Sequence, residues 1–177
     1  MSSCNKIIIC LAVTALFSIS EVSAQVGISV SPPRVYYEIA PGQTGTNEIV
    51  VTNVSDKNTL ELSITLGDWM YNQLGENLMF SPDTLKNSCA GWVNILGTPY
   101  ISLKPQESKK VSINMTIPAD LTDSIPVHTA MLYVTQMNPT DDVDEKGANI
   151  KVNVRSGIKL FHRNPTPRER RININNL

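Results

Sequence analysis

Leu60, Leu62, Ile64 and Leu66 alternate with Glu61, Ser63 and Thr65. Successive side chains of an extended strand point to opposite faces, so this segment buries one face and leaves the other to water. The same period of two returns at Val26, Ile28 and Val30, at Val111, Ile113, Met115 and Ile117, and at Ile150, Val152 and Val154. Turn chemistry separates the segments. Pro32-Pro33 interrupts the first, because proline donates no backbone hydrogen bond, and Arg34-Val35-Tyr36-Tyr37 resumes the extended pattern. Ala40-Pro41-Gly42 and Lys104-Pro105-Gln106-Glu107 read as turns, 53–58 as a polar turn and 118–126 as a connection. Residues 93–96 and 99–103 read as two short strands, and 131–134 is apolar on both faces, as a central strand requires. Residues 138–147 form an acidic loop carrying Asp141, Asp142, Asp144 and Glu145.

About seven strands at regular spacing emerge, with short turns at 81–86 or 119–123 and no convincing helix. The pattern predicts an all-β fold, an antiparallel β-sandwich of immunoglobulin-like type. No Cys…Trp…Cys pattern is present, which excludes an antibody-type domain but not the wider architecture.

The N-terminus carries a leader. Lys6 precedes an apolar run through Phe17, and Val22-Ser23-Ala24 supplies small residues before a cleavage point. Residues 1–24 therefore read as a secretory signal peptide, and the run is short for a membrane span. Cleavage removes Cys4 and Cys10 and leaves Cys89 alone, so the exported domain has no internal disulfide and must stand on its packed core. The formal charge of −1 argues against a nucleic-acid partner. The C-terminal end is basic, with Arg163, Arg168, Arg170 and Arg171.

Little in the chain carries chemistry. His128 and His162 are the only histidines, and neither has Cys, Asp or Glu at metal-ligand spacing. The acidic loop does not match a calcium-binding loop. No nucleophile elbow and no Gly-rich phosphate loop exists. The expectation is a protein that is not an enzyme, with no catalytic residue, no metal and no cofactor.

Its most informative stretch is 150–161. Ile150, Val152 and Val154 alternate with Lys151, Asn153 and Arg155, and Gly157-Ile158-Lys159-Leu160-Phe161 follows. Such an apolar row either completes the domain's own core or is offered to another chain. Lys159 has the opposite parity from Ile150, so it shares no face with the row unless Gly157 marks a bulge.

Four stretches resemble the first domain of the periplasmic pilus (fimbrial) chaperones, the PapD-like family. Ile28-Ser29-Val30-Ser31-Pro32-Pro33-Arg34-Val35 is similar to the family's first strand, and Leu103-Lys104-Pro105-Gln106-Glu107-Ser108-Lys109 to its turn before a strand. Residues 125–139 are similar to its proline loop, the strand after it and the asparagine-proline that ends that strand. Most specific is Gly157-Ile158-Lys159-Leu160-Phe161-His162-Arg163, similar to the Ile-Lys-Leu-Phe-Tyr-Arg-Pro segment that closes that domain. The resemblance spans most of 26–165.

It implies a periplasmic chaperone for pilin-like subunits that lack a strand. The chaperone lends its last strand to the open groove of the subunit, a donor-strand form of β-augmentation. Ile150, Val152 and Val154 would be the donor-strand plugs. Arg34 and Lys159 would bind the subunit's C-terminal carboxylate. An outer-membrane usher and self-association through edge strands are further expected partners. The alternative is an exported structural or adhesive subunit of a surface assembly. Two departures from the family stand out. Residues 69–90 form a longer, more polar insert than the family has. After the domain at 25–165, the basic tail at 166–177 stands where a second domain is expected, which reads as a truncated or one-domain form.

Overall fold

The computed structural model describes residues 27–122, 124–143 and 149–165, with the backbone alone for 140–143, 149 and 150. The expected signal peptide at 1–24 and the basic tail at 166–177 lie outside the described residues.

The alternating segments become strands: β1 (Ile28–Ser31), β2 (Arg34–Glu38), β3 (Thr44–Asn53), β4 (Leu60–Tyr71), β5 (Asn77–Phe80), β6 (Val93–Ile95), β7 (Tyr100–Leu103), β8 (Ser108–Thr116), β9 (His128–Gln136), β10 (Thr140–Val143), β11 (Asn149–Val152) and β12 (Arg155–Arg163). One sheet has the order β1-β3-β8-β6 and is antiparallel. The other has the order β2-β12-β9-β4-β5, with β7 beside the start of β4. Within it the first and last strands run parallel, while β12, β9, β4 and β5 alternate in direction. β10 and β11 form a separate antiparallel hairpin.

The expected sandwich is present, with more elements than the seven strands read from the sequence, and the reasons are local. Pro32-Pro33 divides the first strand, so that β1 joins one sheet and β2 the other. β4 is long enough to pair with β7 through Leu60–Ser63 and then with β5 through Asp68–Tyr71. The last strand is broken at Asn153 and Val154.

Between the sheets lie Ile49, Val51, Leu60, Leu62, Ile64, Leu103, Ile113, Met115, Leu132, Val134, Ile158 and Leu160, all nearly or fully buried. Each such side chain stabilises the fold by roughly 1.5–3 kcal/mol before ordering costs. Tyr37 crosses this core and donates its hydroxyl to the Ile113 carbonyl at 3.1 Å; burial pushes its phenol up to about 12. The side-chain amide of Asn53 reaches the carbonyls of Asn58, Leu103 and Lys104, tying the 53–58 turn to the turn after β7. Cys89 is fully buried and its thiol is pushed up to about 12 by burial, so it is a core residue rather than a reactive one. His128 and His162 are buried too, packed against Trp92.

One sequence reading needs correction. Residues 138–147 are not wholly a loop, because Thr140–Val143 forms β10 against β11. Gly157 marks no bulge: the β12–β9 ladder runs without interruption from Arg155↔Thr135 to His162↔His128, with Gly157 opposite Tyr133. The interruption comes earlier. The Gln136 amide donates to the Val154 carbonyl at 2.9 Å, and the next pair is Thr140↔Val152. Met137, Asn138 and Pro139 therefore face the single residue Asn153.

Candidate functional site

β2 presents Val35 and Tyr37 to the core and Arg34, Tyr36 and Glu38 to the opposite face. β12 presents Ile158, Leu160 and His162 to the core and Lys159, Phe161 and Arg163 to that same outer face. The two strands are parallel and in register, so the outer residues meet rung by rung: Arg34 beside Lys159, Tyr36 beside Phe161, Glu38 beside Arg163. Tyr36 and Phe161 stack with centroids 5.1 Å apart and an interplanar angle of 14°. Arg163 forms an ion pair with Glu38. The remaining rung places two cations on adjacent strands. Arg34 and Lys159, far apart in sequence, thus stand at paired positions on adjacent strands.

The sequence did not reveal what holds Lys159. Its ammonium donates to the Tyr71 hydroxyl at 2.7 Å and to the Asn77 side-chain carbonyl at 2.8 Å. It also lies 3.8 Å from the ring centroid of Trp69 and 4.3 Å from that of Tyr71. All three partners come from the segment expected to be an insert. The first part of that segment forms a hairpin, in which β4 runs on to Tyr71 and β5 returns from Asn77. The Asn72 side chain accepts the Leu74 and Glu76 amides in its turn, and Gly75 takes the left-handed backbone conformation. Gly67 lets the hairpin approach the sheet closely, since a Cβ there would sit 2.8 Å from the Tyr133 ring and 2.9 Å from the Phe80 carbonyl. The missed signal was period two itself: Trp69 and Tyr71 continue the outer-face positions of Thr65 and Gly67.

Behind the hairpin, the buried Asp68 carboxylate accepts the amides of Thr84 and Leu85 at 2.8 and 2.9 Å and the Ser88 hydroxyl at 2.6 Å. Trp69 is anchored by its indole N–H, which donates to the Ala130 carbonyl at 3.1 Å, and it packs with Met131, Tyr133 and Phe161. The ammonium thus rests on a fixed aromatic surface. Tyr71 titrates below the ordinary tyrosine range, chiefly because it accepts the Lys159 hydrogen bond, with a smaller effect from the charge of Arg34.

The row expected to serve as plugs lies on the other face. Val152, Val154 and Ser156 are half-buried and alternate with exposed Lys151, Asn153, Arg155 and Gly157; Ile158, Leu160 and His162 continue the row as fully buried core residues. Val152 lies in β11 opposite Thr140, and Val154 in the break between β11 and β12. Neither belongs to the packed apolar clusters. The Ile150 side chain lies outside the described residues, although its backbone pairs with Asp142. Across 149–158, β11 and β12 pair with β10 and β9 on one side only, and among the described residues no strand pairs with the other side. Pairing on that side starts where the Lys159 amide donates to the Pro33 carbonyl at 3.2 Å, and β2 follows. The cation rung therefore sits at the point where an open strand edge becomes a closed one.

No protein-family model matches the chain, and no curated protein sequence does. Several solved structures are similar to it. The class 5 fimbriae chaperone CfaA matches with a TM-score of 0.54 at 11% identity, over 83% of this chain and 60% of its own. A chain from a chaperone–tip adhesin complex of CFA/I fimbriae biogenesis matches with a TM-score of 0.53 at 9% identity, over 78% and 58%. A chain from the Salmonella enterica complex of SafA pilin with the SafB chaperone matches with a TM-score of 0.50 at 13% identity, over 82% and 58%. The domain shares the immunoglobulin-like fold of these structures. It spans 58–60% of the length of these three chains.

Proposed function

We propose that this domain is a periplasmic chaperone for pilin-like subunits that lack a strand, and that it lends them the 149–158 edge while Arg34 and Lys159 hold the subunit's C-terminal carboxylate. The observation that carries this reading is the cation rung at the end of the open edge. Like charges on neighbouring strands repel, and a carboxylate between them turns that repulsion into two charge-assisted hydrogen bonds of about 1.5–3 kcal/mol each. An incoming strand that ends in this carboxylate would lie alongside β11 and the start of β12, in line with β2 and parallel to β12, as β2 is. Its backbone would complete the unpaired edge, and the half-buried row of Val152 and Val154, with Ile150 beyond, would supply apolar contact. An outer-membrane usher is the acceptor that such a route implies.

The fold shared with chaperones solved in complex with a pilin or a tip adhesin supports this assignment. The test is co-expression with a pilin-like subunit followed by affinity capture of the complex. Capture is expected with the wild-type chain and lost both in an Ile150→Asp/Val152→Asp/Val154→Asp variant and in Lys159→Met. Unimpaired capture by both variants refutes the assignment. Stable homo-oligomers of the wild-type chain that an edge substitution dissociates would instead support the structural-subunit alternative.

A further inference from the structure

We propose that the β4–β5 hairpin arms the carboxylate site: Trp69, Tyr71 and Asn77 are positioning residues that fix the Lys159 ammonium on the outer face of the sheet, on the rung it shares with Arg34, and the Tyr71 hydroxyl is a third donor to the bound carboxylate. The proposal rests on the carboxylate-binding role given above to Arg34 and Lys159 and adds what makes that pair competent.

A lysine ammonium has three N–H donors and no acceptor. Two are directed at Tyr71 and Asn77, at 2.7 and 2.8 Å, and one remains for a ligand. Tyr71 accepts from Lys159 through its oxygen, so the phenolic proton is directed elsewhere. Tyr71 is bonded to Lys159, whose neighbour on the next strand is Arg34, and both cations lower the Tyr71 titration. A carboxylate between these cations lies near three donors of different elements: β2, β12 and the end of β4.

The identity of the holding groups matters as much as their distance. A half-buried lysine beside an arginine on the next strand would relieve repulsion by swinging away. Two aromatic faces and one amide stabilise the ammonium where it is. All of them are uncharged, so the ammonium is fixed without being neutralised and the rung keeps both positive charges for an anion. An aspartate at position 77 would hold the ammonium as well and cancel one of those charges.

The test uses the purified chain, with N-acetylglycine as a blocked C-terminal carboxylate and N-acetylglycinamide as its uncharged control. Binding is followed by NMR on the Lys159 side chain, and the Trp69 indole N–H reports that the site is folded. The wild-type protein is expected to bind the acid and not the amide. Tyr71→Phe keeps the ring and should weaken acid binding about three- to tenfold. Asn77→Asp should weaken it by about tenfold or more. Neither should change the response to the amide. Wild-type affinity in both variants, with binding lost in Lys159→Met, overturns the role of the hairpin and leaves the carboxylate reading standing. Wild-type affinity in Lys159→Met as well overturns both.

Discussion

Truncating the last strand at successive positions separates core from offered surface. Ile158 is fully buried between the sheets, opposite Leu132. Ile158→Ala removes three carbons from a packed interior and leaves a cavity, so it should cost about 2–5 kcal/mol. Val152 and Val154 lie on the same row but are only half-buried and outside both packed clusters. Alanine at either position removes two carbons, each worth about 0.8 kcal/mol when fully buried. Partial exposure reduces that figure, and no closed cavity is left behind. The four carbons would carry about 3.2 kcal/mol if fully buried, so the half-buried Val152→Ala/Val154→Ala pair should cost about 1.6 kcal/mol in total. Urea denaturation of the purified chain followed by tryptophan fluorescence measures all three variants. Ile158→Ala should shift the midpoint strongly and the valine pair less, while the pair alone should weaken capture of a pilin-like subunit. A loss of stability in the valine pair equal to that of Ile158→Ala would show that the whole row is core, and the donor role would fall.

Three further outcomes follow from the geometry. Lys159→Met should raise the titration of Tyr71 toward that of an ordinary tyrosine, because the hydrogen bond that chiefly lowers it is lost; NMR of the tyrosine ring carbons reads this, and an unmoved Tyr71 would contradict the contact. The Cys89 thiol and the Tyr37 phenol are both raised to about 12, from 9.0 and 10.0. Their contribution to stability is fully present below pH 9 and is lost as pH rises toward 12, so the urea midpoint should fall across that window, less steeply in Cys89→Ala, and a flat profile speaks against their burial. Gly67→Ala forces a Cβ against the Tyr133 ring and the Phe80 carbonyl and should cost about 1–3 kcal/mol; faster amide exchange in β5 would locate the damage, and unchanged exchange would place the strain elsewhere.

Where one face of a strand is buried, period two was enough to read the fold. β4, β8 and β9 appear where their apolar residues place them, and Pro32-Pro33 divides the first strand as the missing donors require. The rest depended on partners that local pattern does not name. Thr140, Asp141, Asp142 and Val143 show no apolar alternation, and they form a strand because 149–152 lies opposite. In the 69–90 segment, read as a polar insert, the part after β5 shows no period because side-chain carboxylates order it: that of Asp68, which accepts the Thr84 and Leu85 amides, and that of Asp83, which accepts the Gly91 amide at 2.9 Å. The Arg34–Lys159 pairing was legible only through the family resemblance, since nothing local links positions so far apart. Tyr71 and Asn77 were out of reach for the same reason, because a hairpin brings them to a lysine more than eighty residues away.

The parity problem posed by the sequence resolves without a bulge at Gly157. Lys159 lies five residues beyond Val154 and seven beyond Val152, odd separations that put cation and apolar row on opposite faces of one strand. At about 3.3 Å per residue the cation stands roughly 17 Å and 23 Å along the strand from the two valines. Cation and row can act on one ligand because they do different things to it. A strand added to the open edge meets β12 through its backbone, which belongs to neither face. Its terminal carboxylate can then reach the outer-face cations while its side chains alternate, one set lying over the row of Val152 and Val154. A slip of one residue would carry the carboxylate about 3.3 Å from the rung and turn that set to the wrong face, so the charge and the apolar row penalise the same error. The break at Asn153 and Val154 fits this division. It releases the 149–152 segment from the sandwich ladder to the β10 hairpin, so that the half-buried row extends past the core that the same strand completes at Ile158 and Leu160.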